Sequence, residues 1–522
     1  MMPPFLADPR ILAAYSEGAG IYRIVPRAVA IPVNPAEVAH LLRRAAAERL
    51  AVIPRGAGSG MPGGNVGRGI LLDLSQGFGS LEVDPHKRRA RAGASVTWAQ
   101  VNDAARGHGL RLPPDPASGA FATSGGMVST NAAGARSLLH GSVRHWVEAL
   151  EIVGADGTVR WVKRGEGCGE LFALERSIAS SIAAAFPKTR KNSSGYALDA
   201  FAASGDEVDL FIGAEGTLGI VTAVDWRLAP IPPDVAGVAL GFADHEALGE
   251  AVPFLVALRP AAIELLDNTL LKFVRLGGGE VPEAVQVLLL VEFERPTAPA
   301  AHGVVGDAVR GLKHLLVHVE AAVDRSGLDH LWGIRRLASP VLAQMPDRQR
   351  SLQVIEDGCV PVEQLSSYVR EVRVLADRYE IPVAIFGHAG DGHVHINVLP
   401  DLGRPGWRQR LQGLYDDVTS LVKRLGGTPS GEHGDGRLRA GLLKSFFGVD
   451  VVDQFRRLKH AYDPEALLNP GVILPAADWA PLADLKVGEG AASIPDDIAA
   501  RLRHMERSGG WAVPKQDLAR ET

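Results

Sequence analysis

Apolar residues recur along this chain with two different periods, and the alternation between them predicts a protein of mixed helices and sheets. Between Pro35 and Leu50 they fall at the spacing of an amphipathic helix, and the run passes directly into a short strand, Ala51–Pro54. A second strand at 69–74 follows a glycine-rich loop. Val147–Val153 and Gly157–Val162 read as a hairpin about Ala155-Asp156-Gly157, and 209–221 reads as a strand broken by glycines and then resumed. Farther on, strands are expected at 235–242, 285–293 and 314–321, with helices at 246–258 and 450–460. A last amphipathic stretch, Pro495–Arg507, predicts a plain surface helix.

The segment densest in chemistry is Gly387–Asn397, GHAGDGHVHIN, which puts three histidines within eight residues around the turn dipeptide Asp391-Gly392. An Asp-Gly turn between apolar runs predicts a tight hairpin with His388 directly across the ladder from His395. Their Cβ atoms would be roughly 4.5–5.5 Å apart on one face. Two imidazole nitrogens so placed can converge on one divalent ion at about 2.0–2.1 Å each. Glu432, in Ser430–Gly436 (SGEHGDG), is the best candidate for a third ligand and leaves His433 as a free imidazole. Two histidines and a carboxylate leave positions open for substrate and suit zinc, with manganese or iron as alternatives. The competing reading is a pair of unrelated histidines among the 16 in the chain.

Arg55-Gly56-Ala57-Gly58-Ser59-Gly60 opens a loop that runs on through Pro62-Gly63-Gly64. Gly58, Gly60 and Gly63 match G-x-G-x-x-G, yet the dinucleotide fold needs a helix to begin there, and Pro62-Gly63-Gly64 opens one poorly. A nicotinamide-dependent Rossmann enzyme is therefore set aside. The loop is better read as a nest of bare backbone N–H groups able to cradle phosphates, the alternative being a surface turn. Pro113–Ser118 then leads into Ala122–Ala135, ATSGGMVSTNAAGA. So little side-chain volume over so long a run leaves space for a large, flat cofactor bearing phosphates.

Composition narrows the classes. A chain of 522 residues, 46% hydrophobic and 22% charged, supports two or three globular domains. The net charge of −5 supplies no basic field, so nucleic acid is not an expected partner. Cys168 and Cys359 stand alone without a CxxC pair, which excludes an iron–sulfur cluster held by this chain and suits a reducing compartment. Apolar runs such as Val287–Val291 are far too short to cross a bilayer, and the start lacks a basic region followed by an apolar core. The expectation is a cytoplasmic protein with no transmembrane segment; attachment to the inner face of the membrane is the alternative. No fixed-period repeat appears, which sets solenoids and propellers aside.

Eight motifs then occur in an order that resembles one family. They are PRGAGSG at 54–60, PPDPAS at 113–118, TSGGMVSTNAAG at 123–134, KNSSGY at 191–196, GAEGTLGI at 213–220, GHAGDGHVH at 387–395, SGEHGDG at 430–436 and DPEALLNPG at 463–471. The chain resembles the FAD-linked D-2-hydroxy-acid dehydrogenases, a group with a vanillyl-alcohol-oxidase-like FAD-binding fold. D-lactate dehydrogenase, the glycolate oxidase flavoprotein subunit and D-2-hydroxyglutarate dehydrogenase belong to it. The resemblance implies an α+β architecture. A two-subdomain FAD-binding domain would cover 1–229, and an α+β cap with a helix-backed sheet would cover 230–435, starting after Pro230-Ile231-Pro232-Pro233. Residues 436–475 would return to the FAD domain, and 476–522 would be a tail beyond the family's usual end.

The same resemblance places FAD against Arg55, Gly56, Ala57, Gly58, Ser59, Gly60, Asp115, Ser118, Ser124, Gly125, Thr130, Asn131, Glu215, Gly219, Ile220 and Asn469. No histidine lies in the 55–64 loop, so no covalent histidyl link is expected there. With a divalent ion on His388, His395 and Glu432, His433 would serve as general base and Arg335 as clamp for the substrate carboxylate. The implied reaction takes a small-molecule D-2-hydroxy acid to the 2-oxo acid. Hydride goes to the flavin, and electrons go to an external acceptor other than NAD, such as a quinone, a cytochrome or an electron-transfer flavoprotein. An iron–sulfur subunit is an additional candidate partner, and the alternative to a plain surface helix in the tail is a docking site for an electron-accepting subunit. The relative acting on 2-hydroxyglutarate uses a lysine shortly before its Asp-x-x-x-Pro-Val segment, but Leu352–Asp357 has none. A monocarboxylate such as D-lactate is therefore expected. His393 stands where relatives often carry Asn, either against substrate or as a polar strand residue. The alternatives are a flavoprotein subunit that turns over only with partner chains, and a metal-dependent hydrolase built on the same three ligands.

Overall fold

The computed structural model describes residues 4–174, 176–276, 278–511 and 513–520; the outer ends of the first and last expected segments, 1–3 and 521–522, lie outside these. The first long helix forms as Pro35–Ala47 because Asn34 accepts a hydrogen bond from the Glu37 backbone N–H and Pro35 fills the first helical position. It turns Val38, Leu41, Leu42 and Ala45 onto a parallel three-stranded sheet ordered Ala28–Ala30, Ile70–Asp73, Val52–Arg55. The glycine loop leaves the end of Val52–Arg55, and the next regular element is the strand Ile70–Asp73, not a helix.

A second sheet has five antiparallel strands ordered Leu81–Asp84, Arg89–Gly93, Ile220–Arg227, Val147–Val153, Val159–Lys163, so the expected hairpin is present. The expected strand near Asp209 is not. Val208–Phe211 is a helical turn, and the strand begins only at Ile220. All four residues of that turn are buried, so their apolar pattern carries no period to separate strand from helix. The Asp209 carboxylate is taken up by Arg144 and Arg164 at 2.7 Å each.

The third sheet has six antiparallel strands ordered Leu316–Ala322, Asp234–Phe242, Val287–Arg295, Ala262–Asp267, Val383–His388, His395–Val398. Helices cover both faces: Leu248–Ala257, Ala298–Leu312 and Leu365–Tyr379 on one, Asn268–Leu276 and Arg325–Arg336 on the other. Val287–Val291 is accordingly buried throughout, which is why it reads as a continuous apolar run. Ion pairs bind this sheet to the segments before it. Arg136 holds Asp115 and Glu292 at 2.6 Å each, and Arg111 holds Glu294 at 2.5 Å.

The chain then runs back through Leu443–Tyr462, a helix longer than the expected 450–460 and kinked at Gly448. Its Phe447 and Phe455 pack on Phe186 and Tyr196. Beyond it the Asn469 N–H donates to the Val52 carbonyl at 2.8 Å. The helix expected near 495–507 forms as Asp496–Ser508, but it is no plain surface helix. Ile498 and Leu502 are buried against Ala13, Tyr15 and Leu71, while Arg503 donates to Asp347 and to the Met345 carbonyl. The sequence pattern is that of one apolar stripe, and it cannot say what the stripe packs on. Among the described residues, no helix is long and apolar enough to cross a membrane.

Candidate active site

The strands Val383–His388 and His395–Val398 do pair antiparallel, but Phe386, not His388, stands opposite His395. The expected two-residue turn is replaced by a longer loop, in which Ala389–Asp391 make a short 3-10 turn and Gly392 is left-handed, φ +69°. A side-chain carbon at Gly392 would lie 2.0 Å from the Val360 carbonyl oxygen, so the loop is wedged against that segment. His388 instead pairs across to Glu264 on the neighbouring strand. Because the register differs by two residues, the facing of the side chains survives, and the two rings remain 5.2 Å apart.

His388 Nδ1 is 2.5 Å from Glu264 Oε1, and His395 Nδ1 is 3.0 Å from the Glu356 carbonyl. With each Nδ1 as donor, both Nε2 atoms point at Glu432 Oε1, at 3.1 and 3.5 Å, and would offer their lone pairs to a cation that displaces the Nε2 proton of His388. The other oxygen of Glu432 accepts from Lys191 Nζ at 2.7 Å. Burial opposes the charge on His388, yet Glu264 raises its pKa to about 9. Burial likewise opposes the charge on Glu264, but His388 and Arg335 bring it down to about 2. His393 does not border the cavity described below; it is fully buried, with Nε2 2.9 Å from Asp357 Oδ1 and no partner for Nδ1. Ligand atoms of His388, His393, His395 and Glu432 all lie within 4.8 Å of one another. Imidazoles and a carboxylate converging beside an orphaned nitrogen fit a divalent cation.

His433 is not a free imidazole. Its Nδ1 lies 2.5 Å from Glu356 Oε2, and its ring stacks on His395 at 5.2 Å. Burial works against its charge, but Glu356 and then Asp357 raise its pKa to about 10. Arg335, on the helix Arg325–Arg336, gives its Nε to Glu264 Oε2 at 2.7 Å and lies over the Phe386 ring. Its two terminal nitrogens make no hydrogen bond among the described residues. Asp357 accepts from the backbone N–H of Glu432 and of His433, and Asp435 accepts from Ser194 and Gly195, so the SGEHGDG and KNSSGY segments are tied together.

Arg335, Glu356, His388, His395, Glu432 and His433 border one cavity of about 510 Å³ with the glycine loop. Of the expected cofactor residues, Arg55, Gly56, Ala57, Gly58, Ser59, Gly60, Ser118, Gly125, Thr130, Glu215, Gly219 and Ile220 line it, as do Arg335, His388, His395, Glu432 and His433. Four of the expected residues do not. Asp115 is consumed by Arg136, and the Ser124 hydroxyl accepts from Trp226 Nε1 at 3.3 Å. Asn131 ends the helix Ser124–Thr130 and accepts from the Arg144 N–H. Asn469 donates to the carbonyls of Gly64 and Glu215. They brace the wall from behind. Arg55 borders the cavity, but its guanidinium turns away to the carbonyls of Tyr15 and Glu17. Asn131, Glu215 and Asn469 all hold left-handed backbones, with φ of 51°, 50° and 44°, a strained conformation concentrated at one wall. At Gly56 a side-chain carbon would sit 2.3 Å from Thr123 Oγ1. Walls this bare fit an elongated phosphate-bearing cofactor.

Three site residues escape a reading of the sequence. Glu264 has a signal in hindsight, as an acid inside the buried strand AIELLD. Glu356 belongs to the segment notable for lacking lysine, and Lys191 to KNSSGY, but nothing local to either says that it meets Glu432 or His433. The tail was not expected here at all, yet Arg503, Ser508, Gly509 and Trp511 line the same cavity.

Known proteins agree with this architecture. A family model described as "FAD binding domain" matches residues 26–163, and one described as "FAD linked oxidases, C-terminal domain" matches 231–473. The chain is 32% identical to the D-lactate dehydrogenase of Archaeoglobus fulgidus, over 86% of this chain and 93% of that protein. It is 29% identical to the glycolate oxidase subunit GlcD of Bacillus subtilis, over 86% and 89% respectively. The structure of p-cresol methylhydroxylase with substrate bound superposes with a TM-score of 0.67 at 15% identity, covering 90% of this chain and 94% of that one. That last likeness concerns the fold alone. Sequence, cavity and polar cluster lead to one conclusion: the chain belongs to the family of FAD-linked oxidases.

Proposed function

We propose that this chain oxidises a D-2-hydroxy acid to the 2-oxo acid, with FAD in the glycine-walled cavity and a divalent ion on His388, His395 and Glu432. The observation that carries this reading is the pair of uncommitted terminal nitrogens on Arg335, which borders the same cavity as the three ligands and His433. When bound, FAD supplies the hydride acceptor, and the ion supplies Lewis acidity together with positive charge that offsets Glu356 and Asp357 around His433. Arg335 holds the substrate carboxylate by two parallel hydrogen bonds while its Nε stays on Glu264. His433 takes the hydroxyl proton at Nε2, and Glu356 stabilises the resulting charge through Nδ1. Lys191 keeps Glu432 ionised and oriented. Contacts to carboxylate, hydroxyl and C2 fix three points and leave one hydrogen exposed, so one enantiomer reacts.

The likeness to a D-lactate dehydrogenase supports the D enantiomer. A monocarboxylate is supported because the segment 351–357 brings Ser351, Gln353 and Glu356 to the cavity and no cation. Residues 1–229 and 436–475 are assigned to FAD, and 230–435 to substrate and metal. The electrons would leave for an external acceptor such as a quinone, a cytochrome or an electron-transfer flavoprotein. The test is anaerobic mixing of the flavin-loaded protein with paired enantiomers of lactate while following flavin bleaching. D-lactate should bleach it and L-lactate should not; equal bleaching would refute the three-point arrangement, and no bleaching by any 2-hydroxy acid would refute the function.

A further inference from the structure

Among the described residues, the strand Leu316–Ala322 ends the six-stranded sheet and pairs on one side only, with Asp234–Phe242. Sheet edges are commonly blunted by lysine, proline, a bulge or a covering helix. This strand, LVHVEAA, contains no lysine or proline; a register shift at Gly241/Phe242 leaves Val317 as a bulge near its start while His318–Ala322 pair regularly, and Val317 and Val319 are 46% and 41% exposed. Val323, just past its end, is 53% exposed. Val319 lies opposite Leu240, whose side chain is buried under the helix Ala298–Leu312. The valine stripe is thus a core face continued past the helix that should cover it.

We propose that this edge is a homodimer interface in which two Leu316–Ala322 strands pair antiparallel about a twofold axis at Val319, joining two six-stranded sheets into one of twelve strands. The residues themselves choose the second copy as occupant, because the strand is self-complementary in that register. Val319 meets Val319 of the second copy, Val317 meets its Ala321, and His318 meets its Glu320. Apolar pairs fill one face and two His–Glu pairs fill the other. An axis at His318 or at Glu320 would instead set like groups against each other. Within one chain His318 and His330 already lie 4.0 and 3.6 Å from Glu320, so the pairs across the axis extend an existing polar cluster. A seven-residue ladder falls short of a standard interface of about 1,200–2,000 Å² unless the flanking helices add to it. The dimer is accordingly concentration-dependent, with a dissociation constant of roughly micromolar order.

Sedimentation velocity of the flavin-loaded full-length protein, from roughly 1 to 100 µM, should show a reversible monomer–dimer equilibrium. His318→Glu places two acids opposite each other and should weaken the dimer at least tenfold, and adding Glu320→Lys should restore it. Register is read separately by cysteine substitution, with flavin absorbance confirming that each variant is folded. Opposed Cα atoms about 4.5–5.5 Å apart lie within disulfide reach, so Val319→Cys should cross-link to itself under diamide. Ala321→Cys alone should not cross-link, whereas a mixture of Ala321→Cys and Val317→Cys chains should. The unsubstituted chain, with Cys168 and Cys359, sets the background. A monomer throughout the range, cross-linking of Ala321→Cys as efficient as that of Val319→Cys, or no rescue by the double variant would each overturn the proposal.

Discussion

Lys191 Nζ lies 2.7 Å from one oxygen of Glu432 while the other oxygen faces His388 Nε2 at 3.1 Å. The carboxylate is thereby aimed by a buried cation that borders neither the cavity nor the substrate position. Lys191→Met should lower affinity for the divalent ion by roughly 10- to 100-fold, as loss of an outer partner typically does. Metal content after dialysis, measured beside flavin content, checks this; unchanged metal retention would show that Lys191 only fills space.

Stripping the ion with a chelator should abolish reduction of the flavin by substrate while leaving the flavin bound, because the residues proposed to hold the ion are distinct from the glycine loop proposed to hold the flavin. His388→Ala should behave the same way. Full activity in the stripped protein would remove the metal from the reaction.

Arg335 and His433 should separate kinetically. Losing a charge-assisted hydrogen bond costs about 1.5–3 kcal/mol, so Arg335→Ala should reduce kcat/KM for D-lactate by roughly 10- to 150-fold. His433→Ala should slow flavin reduction itself by about 10²- to 10⁴-fold, with less effect on substrate binding. Stopped-flow traces at several substrate concentrations distinguish the two; identical behaviour would refute the division of roles.

Glu506, on the tail helix that lines the cavity, supplies a pH dependence of its own. Burial opposes its charge, yet Lys486, Arg350 and Arg503 bring its pKa down from 4.5 to about 2. A carboxylate whose folded value is depressed favours the fold above its unfolded value and loses that contribution as the pH drops through the folded one. Stability worth on the order of 3 kcal/mol should therefore disappear between about pH 4.5 and 2. Glu506→Gln should destabilise at pH 7 and make little difference near pH 2. Denaturant unfolding across this range, with flavin release as a second readout, measures it.

Much of this was legible in the sequence, and for physical reasons. Val38, Leu41, Leu42 and Ala45 betray their helix because it buries one stripe, and Val287–Val291 betrays its strand because helices bury both faces. The convergence of His388 and His395 was legible through their spacing, but their register was not. Gly392 announces a left-handed residue without saying that a 3-10 turn precedes it. Asp115, Asn131 and Asn469 lie in the right motifs and brace the cavity wall, a distinction that depends on side-chain direction. Glu264, Glu356 and Lys191 reach the site only through strand pairing and loop packing between distant segments, and no local pattern records such meetings.

The late placement of Trp511 and Arg503 in the cavity wall bears on how the protein is made. During synthesis the glycine loop emerges early, and the segments that close over it emerge much later. Nascent chain lacking the tail would carry an open, partly apolar cleft that cannot yet retain flavin well, at the stage when contacts of long sequence separation are slowest to form. Cofactor capture should thus follow emergence of the helix Asp496–Ser508, and a ribosome-tethered chain stalled before Asp496 should bind flavin weakly even with every motif of the glycine loop already exposed.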